Sequence, residues 1–327
     1  MNTLCSYEEV CALIDKGDKL LLAGDKDIIE KLPKGNWMAG TISYFMSGEG
    51  GIKTNEKIFT TIIPKEIIDF KITTYAESEL CNIPKGYFKN GFSFIIIPSF
   101  SSVHTSFAEN CISYENIFDS PLVGWVAGFD LERKDIANGI VYNGSTGESF
   151  SDRAIVMHLV LEKNKKAKMN NINLFKQGNG DIISFDQKGF NIKSCNINGE
   201  ESNFAKYLIE NEVDISLPLV SEFRGFSANV SFKSINQELG IVELYASVFP
   251  DTEYRVASPI GIYEDEFNDE VLKNNINPFF SCNCILNYLY ANLEGKKTGK
   301  ILGPMTFGEI AHILLNQTMV YISFEDV

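Results

Sequence analysis

Short apolar runs alternate with segments of helical spacing along this chain, and the alternation repeats. Residues 19–23 form an apolar run, followed by a helical pattern over 25–31, a Pro-Lys-Gly break and Trp37. Residues 92–97 form a second and more apolar run, followed by helical spacing over 101–118, Ser120-Pro121 and Trp125. A run apolar on both faces predicts a central strand. Two strand–helix–strand units therefore end in Trp-x-Ala-Gly, at 37–40 and 125–128, with their tryptophans 88 residues apart. The theme returns near the C-terminus, with a short strand at 278–281, a helix at 282–293 and a strand at 300–303.

Between these units the pattern predicts simpler elements. Ser6 and Glu9 form a capping box that opens a helix running to about residue 15. Strands are expected at 41–46, 57–63, 67–75, 139–142 and 153–161. The glycines at 48, 50 and 51 read as a hairpin turn, because the P-loop spacing and its Lys-Ser/Thr ending are missing. Residues 164–171 read as a solvated basic stretch, and the Gly-, Asn- and Asp-rich runs at 176–181 and 186–189 place a boundary near 185. Beyond it come a strand at 190–197, a helix at 202–211, a hairpin of 226–235 with 241–249, and a strand at 254–257. An acidic helix at 264–275, a helical turn or two at 309–315 and a closing strand at 318–324 complete the chain. The predicted class is α/β, with α+β as the alternative: two mixed-sheet domains, 1–185 and 186–327, whose helices cover the sheets.

Composition narrows the function. The chain has 327 residues, 44% of them hydrophobic, enough for more than one core. No apolar run approaches the roughly 18 residues of a membrane helix, and the N-terminal residues lack the pattern of a signal peptide. Seven scattered cysteines, an odd number, fit reduced thiols in a cytoplasmic protein. The net charge of −14 disfavours nucleic acid and anionic membranes as partners. Only Arg133, Arg153, Arg224 and Arg255 offer the planar fork that clamps carboxylates and phosphates, so an anion site must use one of them, a lysine or backbone N–H groups. No metal or cofactor is expected, since Cys282 and Cys284 have no second ligand pair nearby in sequence.

Loops after the carboxyl ends of parallel strands are where α/β sheets hold ligands, which makes the Ser101 to His104 loop a candidate wall. Cys282, placed before a helix, has two readings: a thiol activated by the helix dipole with His104 as base, or a buried core residue. His158 and His312 fall inside apolar elements and read as structural. The glycines around Trp37 and Trp125 serve either close strand packing or the approach of a ligand, and the tryptophans either a core or a stacking surface. Glu309 follows Gly308 at an expected helix start, where it complements the dipole.

Several segments resemble FIST (F-box and intracellular signal transduction) proteins. Phe280-Ser281-Cys282, residues 303–309 and Asn316-Gln317-Thr318-Met319 are similar to the C-terminal half of that family. Residues 121–130, Val141-Tyr142-Asn143-Gly144 and 154–161 are similar to its N-terminal half. The similarity spans about 18–165 and 189–327, and Thr306-Phe307-Gly308-Glu309-Ile310 is its most specific motif. It implies a divergent, stand-alone bacterial member, with a FIST-N-like domain over 1–185 and a FIST-C-like domain over 186–327. It further implies a non-enzymatic sensory protein that binds an amino acid or related metabolite between its halves and signals through a protein partner. The resemblance points to Gly124, Ala127, Gly128, Asp130, Ser281, Cys282, Thr306, Gly308 and Glu309; all of these but Ala127 and Ser281, joined by Trp37, Gly40, His104 and Trp125 from the reading above, are the candidate ligand residues. There are departures. Ile285 stands where the family often has Arg, and Thr41 where the first repeat commonly has Glu, which removes charge from the cleft. The rival readings are a hydrolase or transferase using Cys282, and a scaffold without a small ligand.

Overall fold

The computed structural model describes residues 2–223 and 226–327; Arg224 lies outside the described residues. Strands account for 43% of the chain and helices for 18%, a mixed α/β protein dominated by its sheets. All three strand–helix–strand units are present, and each forms a parallel pair. Leu20–Gly24 pairs with Trp37–Thr41 across the helix Lys26–Ile29. Gly91–Pro98 pairs with Leu122–Ala127 across Ser102–Asn110, and Phe280–Cys284 with Gly303–Thr306 across Ile285–Tyr290. The first two helices start where side chains satisfy their free N–H groups: Asp25 accepts from the Asp27 amide and Ser101 from the His104 amide. The third starts only at Ile285, so Cys282 lies within a strand and not ahead of a helix. The ladder to Met319–Asp326 keeps residues 280–284 extended.

Each parallel pair occupies the two central positions of a six-stranded sheet. The sheets share one plan. Beside the first strand of each pair lies an antiparallel return strand, Ile58–Ile62, Arg153–Leu161 or Met319–Asp326, and then an outer strand, Asn2–Cys5, Ile67–Ala76 or Lys165–Ile172. Beside the second strand lies a short hairpin, and here the units exchange parts. The hairpin Tyr44–Ser47 with Gly50–Lys53 follows the first unit but extends the third unit's sheet. Val141–Asn143 with Glu148–Phe150 follows the second and extends the first. Glu309–Ala311 with Ile313–Leu315 follows the third and extends the second. The exchange is cyclic, so the chain is a threefold repeat, 2–62, 67–161 and 165–326, closed on itself.

The third repeat carries an insertion, residues 173–279, between Lys165–Ile172 and Phe280–Cys284. Among its described residues are three three-stranded sheets and the helices Phe204–Glu210 and Tyr263–Lys273. The expected boundary near 185 falls inside this insertion, and one buried hydrophobic cluster contains residues from Leu21 to Ile322. Two local expectations are corrected. The basic stretch 164–171 is not irregular chain: Lys165–Ile172 is a strand with Lys166 and Lys168 exposed, whose lysines 165 and 168 pair with Asp326 and Glu325 on its neighbour. Residues 309–315 are not helical but a hairpin turning at His312, with φ of 61°. Its apolar residues are buried in short strands, and a run this short does not distinguish helix from strand by period.

Gly124 shows how tightly the central strands approach. A Cβ there would sit 1.7 Å from the Ile95 carbonyl oxygen, in backbone that has no room to retreat. Gly124→Ala is therefore expected to cost roughly 3 kcal/mol or more, read as a lowered urea midpoint. An unchanged midpoint would refute the close approach.

Candidate functional site

The carboxyl ends of the second and third parallel pairs open under the insertion, and a cavity of about 480 Å³ lies there. Each element adds a wall. The turn after Gly91–Pro98 contributes Ser99, Phe100 and, from its helix, His104 and Thr105; the turn after Leu122–Ala127 contributes Phe129 and Leu131. The third pair supplies Cys284, Ile285, Leu286, Leu289 and Phe307, and Asn316 joins them. The insertion closes the space with Phe190, Asn191, Lys233, Glu243, Leu244 and Tyr245. This is the place where α/β sheets hold ligands, and the size lies in the range of small-molecule sites.

Phe100, Phe129 and Phe307 form an aromatic cluster, with ring centroids 5.2 to 6.2 Å apart. Phe307 packs over Gly128, where a Cβ would come within 2.3 Å of the ring, so the glycine makes room for the aromatic. Phe100 is held at φ of 56°, a conformation costly for a bulky side chain, and Lys233 Nζ lies 5.6 Å from its ring centroid. Lys233 pairs with Glu243 at 3.2 Å, both side chains being partly exposed. His104 is 7% exposed, its ring meets Phe190 edge-on, and its Nε2 finds no hydrogen-bond partner. Burial pushes His104 down to about 4, so the ring is neutral at physiological pH.

Behind the Cys284 wall sits Glu309, fully buried. The Thr318 amide and hydroxyl donate to its Oε2 at 3.2 and 2.9 Å, and Thr306 Oγ1 is 3.4 Å from its Oε1. The Asn283 and Gly308 carbonyls stand ready to accept the Thr306 proton, which leaves a Thr306 lone pair for a protonated Glu309. Burial lifts Glu309 to about 8, against the lowering effect of the bonds from Thr318. The Cys284 thiol is in hydrogen-bond contact with this carboxyl, and burial raises that thiol well above its ordinary range.

Of the residues singled out from sequence, His104 lines the cavity and the others stand behind it or away from it. Trp37 belongs to a separate buried cluster under Gly144 and donates to the Pro33 carbonyl. Trp125 is fully buried and stacks on Phe280 at 5.5 Å, with Gly40 against its indole edge. Asp130 is buried beneath the cavity loop. Burial raises its carboxyl, but the Lys53 ion pair at 2.8 Å and bonds from the Glu132 amide and Asn55 outweigh it and hold the group low. Gly124 and Gly308 serve the backbone: Gly124 the close approach to Ile95, Gly308 a φ of 153° and a bond from the Val126 amide to its carbonyl. Thr306 and Glu309 form the polar pair behind Cys284. The Cys282 thiol is buried and donates to the Gly124 carbonyl at 3.3 Å, and burial together with Glu309 raises it well above an ordinary thiol, the opposite of an activated thiolate.

What sequence reasoning missed is the insertion's contribution and the aromatic residues lying between the marked positions. Among the described residues, no group of three or more His, Cys, Asp or Glu side chains is placed to hold a metal ion, and no helix is long and apolar enough to cross a membrane.

Fold and site define a class: a threefold-repeat mixed α/β protein with an aromatic-lined cavity at the strand ends, capped by an insertion in its third repeat. The chain belongs to a family of unknown function, DUF6976, whose profile matches residues 5–325, so the insertion and all three repeats fall within the family. No curated protein matches the chain.

Proposed function

We propose that this is a non-enzymatic sensory protein that binds a small ligand in the cavity beneath the 173–279 insertion. The observation that carries this reading is the cavity itself, about 480 Å³ at the carboxyl ends of two parallel pairs, walled by residues from both halves of the chain. An occupant would touch the second repeat, the third repeat and the insertion at once, so binding would favour one arrangement of the three and alter the surface offered to a protein partner. The FIST resemblance supports the sensory reading. Seven free cysteines support a reducing, cytoplasmic compartment. A thiol enzyme finds no support at Cys282, whose proton is held tightly.

Leu289, 40% exposed and part of the cavity lining, offers the test. Melting of the native chain is compared with that of Leu289→Trp, each with millimolar amino acids, short carboxylates, nucleotides and small aromatic compounds. A compound at 100 times its Kd stabilises the native state by about 2.7 kcal/mol, a shift of degrees. The expected result is a rise for at least one compound that the tryptophan abolishes. No rise from any compound would sink the reading in favour of a scaffold.

A further inference from the structure

The lining of the cavity decides which chemistry it accepts. Four phenylalanine rings reach it: Phe100 and Phe129 from the second pair, Phe307 from the third and Phe190 from the insertion. Among the described residues, Lys233 and Glu243 are its only charged ones, and they neutralise each other at 3.2 Å, with the Ser234 hydroxyl also donating to the Glu243 oxygen. The three described arginines are engaged elsewhere: Arg133 with Asp27 and Asp135, Arg153 with Glu79, and Arg255 with the Gly180 carbonyl. A carboxylate or an amino-acid zwitterion would therefore have to compete with Glu243 for the partly exposed Lys233, a modest cost, or enter an apolar space without a counter-charge, a large one. A chain of net charge −14 disfavours anions further.

The polar groups left for a ligand are neutral. The His104 ring, the Tyr245 hydroxyl and the Asn191 amide all line the cavity, and none has a side-chain hydrogen-bond partner among the described residues. Rings on the walls and unclaimed neutral hydrogen-bonding groups between them complement a flat molecule of the same character.

We infer that the ligand is a neutral aromatic or heteroaromatic molecule carrying a hydrogen-bonding group, of the phenol or indole type, held by the phenylalanines and by Tyr245, His104 or Asn191. This inference rests on the cavity being the ligand site. It replaces the amino acid that the FIST resemblance implies with an uncharged ligand.

The test uses the full chain and four probes of similar ring size, p-cresol, indole, benzoate and phenylalanine, with toluene as a probe that cannot hydrogen-bond. Binding is followed by calorimetry and melting in the native chain, in Leu289→Trp and in Tyr245→Phe. The Tyr245 hydroxyl has no partner to lose, so Tyr245→Phe is expected to fold as the native chain does. p-Cresol and indole are expected to bind and to be blocked by Leu289→Trp, while benzoate and phenylalanine bind at least about tenfold more weakly. Tyr245→Phe, or His104→Phe if the phenol points the other way, weakens p-cresol by about tenfold and leaves toluene unchanged. Benzoate or phenylalanine binding as tightly as p-cresol, and lost in Leu289→Trp, would overturn the neutral class while the site stands. Binding by none of the five, or binding that persists in Leu289→Trp, would remove the site as well.

Discussion

A fragment ending at residue 185 is expected to show no cooperative melt as a monomer, although it contains every strand of the first sheet. In the second sheet, Leu122–Ala127 would lose its hairpin neighbour Glu309–Ala311 and become an open edge. In the third, Lys165–Ile172 and the hairpin Tyr44–Ser47 with Gly50–Lys53 would remain without Phe280–Cys284, Gly303–Thr306 or Met319–Asp326 between them. The loss reaches the centre of the core, where Trp125 and Phe94 pack on Phe280, and Phe92 on Phe324. Each such aromatic contributes about 1.5–3 kcal/mol by burial, so uncovering Trp125, Phe94 and Phe92 removes an amount comparable to the net stability of an ordinary domain. Circular dichroism and gel filtration of the purified fragment check this. A monomeric fragment with a single sharp transition would refute the dependence of the first 185 residues on the shared buried cluster.

Glu309→Gln is expected to stabilise the protein at alkaline pH. Burial lifts the folded carboxyl to about 8, above its ordinary 4.5, so the native state keeps a proton that the unfolded chain releases. Stability therefore falls as pH rises from about 4.5 to about 8, and the full penalty, on the order of 5 kcal/mol by linkage, applies above that window. Glutamine keeps the shape, accepts from Thr318 and donates to Thr306, and has no proton to lose. The variant should match the native chain near pH 4.5 and exceed it increasingly up to pH 8. His104 and His158 act on the other side. Burial holds both near 4 against an ordinary 6.5, so the unfolded chain binds more protons between those values, and their contribution is lost as pH falls through that window. Urea midpoints from pH 5 to pH 9 separate the two effects. A fall in stability between pH 5 and pH 8 that survives in Glu309→Gln, below the range where the raised thiols act, would mean that Glu309 is ionised in the native state.

The two strand–helix–strand units carrying Trp-x-Ala-Gly were legible because each is local: an apolar run, a capped helix and a second apolar run, all within one stretch of chain. The third was legible in outline, but its helix was started early, since Phe280–Cys284 is held extended by a strand some forty residues away. At the site the segments around His104, Gly128 and Thr306 reach the cavity while the Trp37 segment does not, and apart from His104 the side chains that line it are neighbours of those marked. Phe129 lies between Gly128 and Asp130, and Phe307 between Thr306 and Gly308. Successive residues of extended chain point to opposite sides, so an offset of one residue separates a lining group from a buried one, and motif spacing does not say which side faces a cavity. The insertion's residues Lys233, Glu243 and Tyr245 gave no local sign of closing over strand ends in other parts of the chain.

By itself, then, the sequence determined the repeated units and their sheet-forming character, and marked strand-end loops of which only some reach the cavity, because these follow from periodicity, caps and turns over neighbouring residues. The cyclic exchange of hairpins, the large buried cluster that runs through all three repeats and the insertion, and the closing of the cavity by the insertion were decided only by tertiary structure. Those pairings join residues far apart in the chain, and their selection depends on which buried surfaces fit together, which no local pattern encodes.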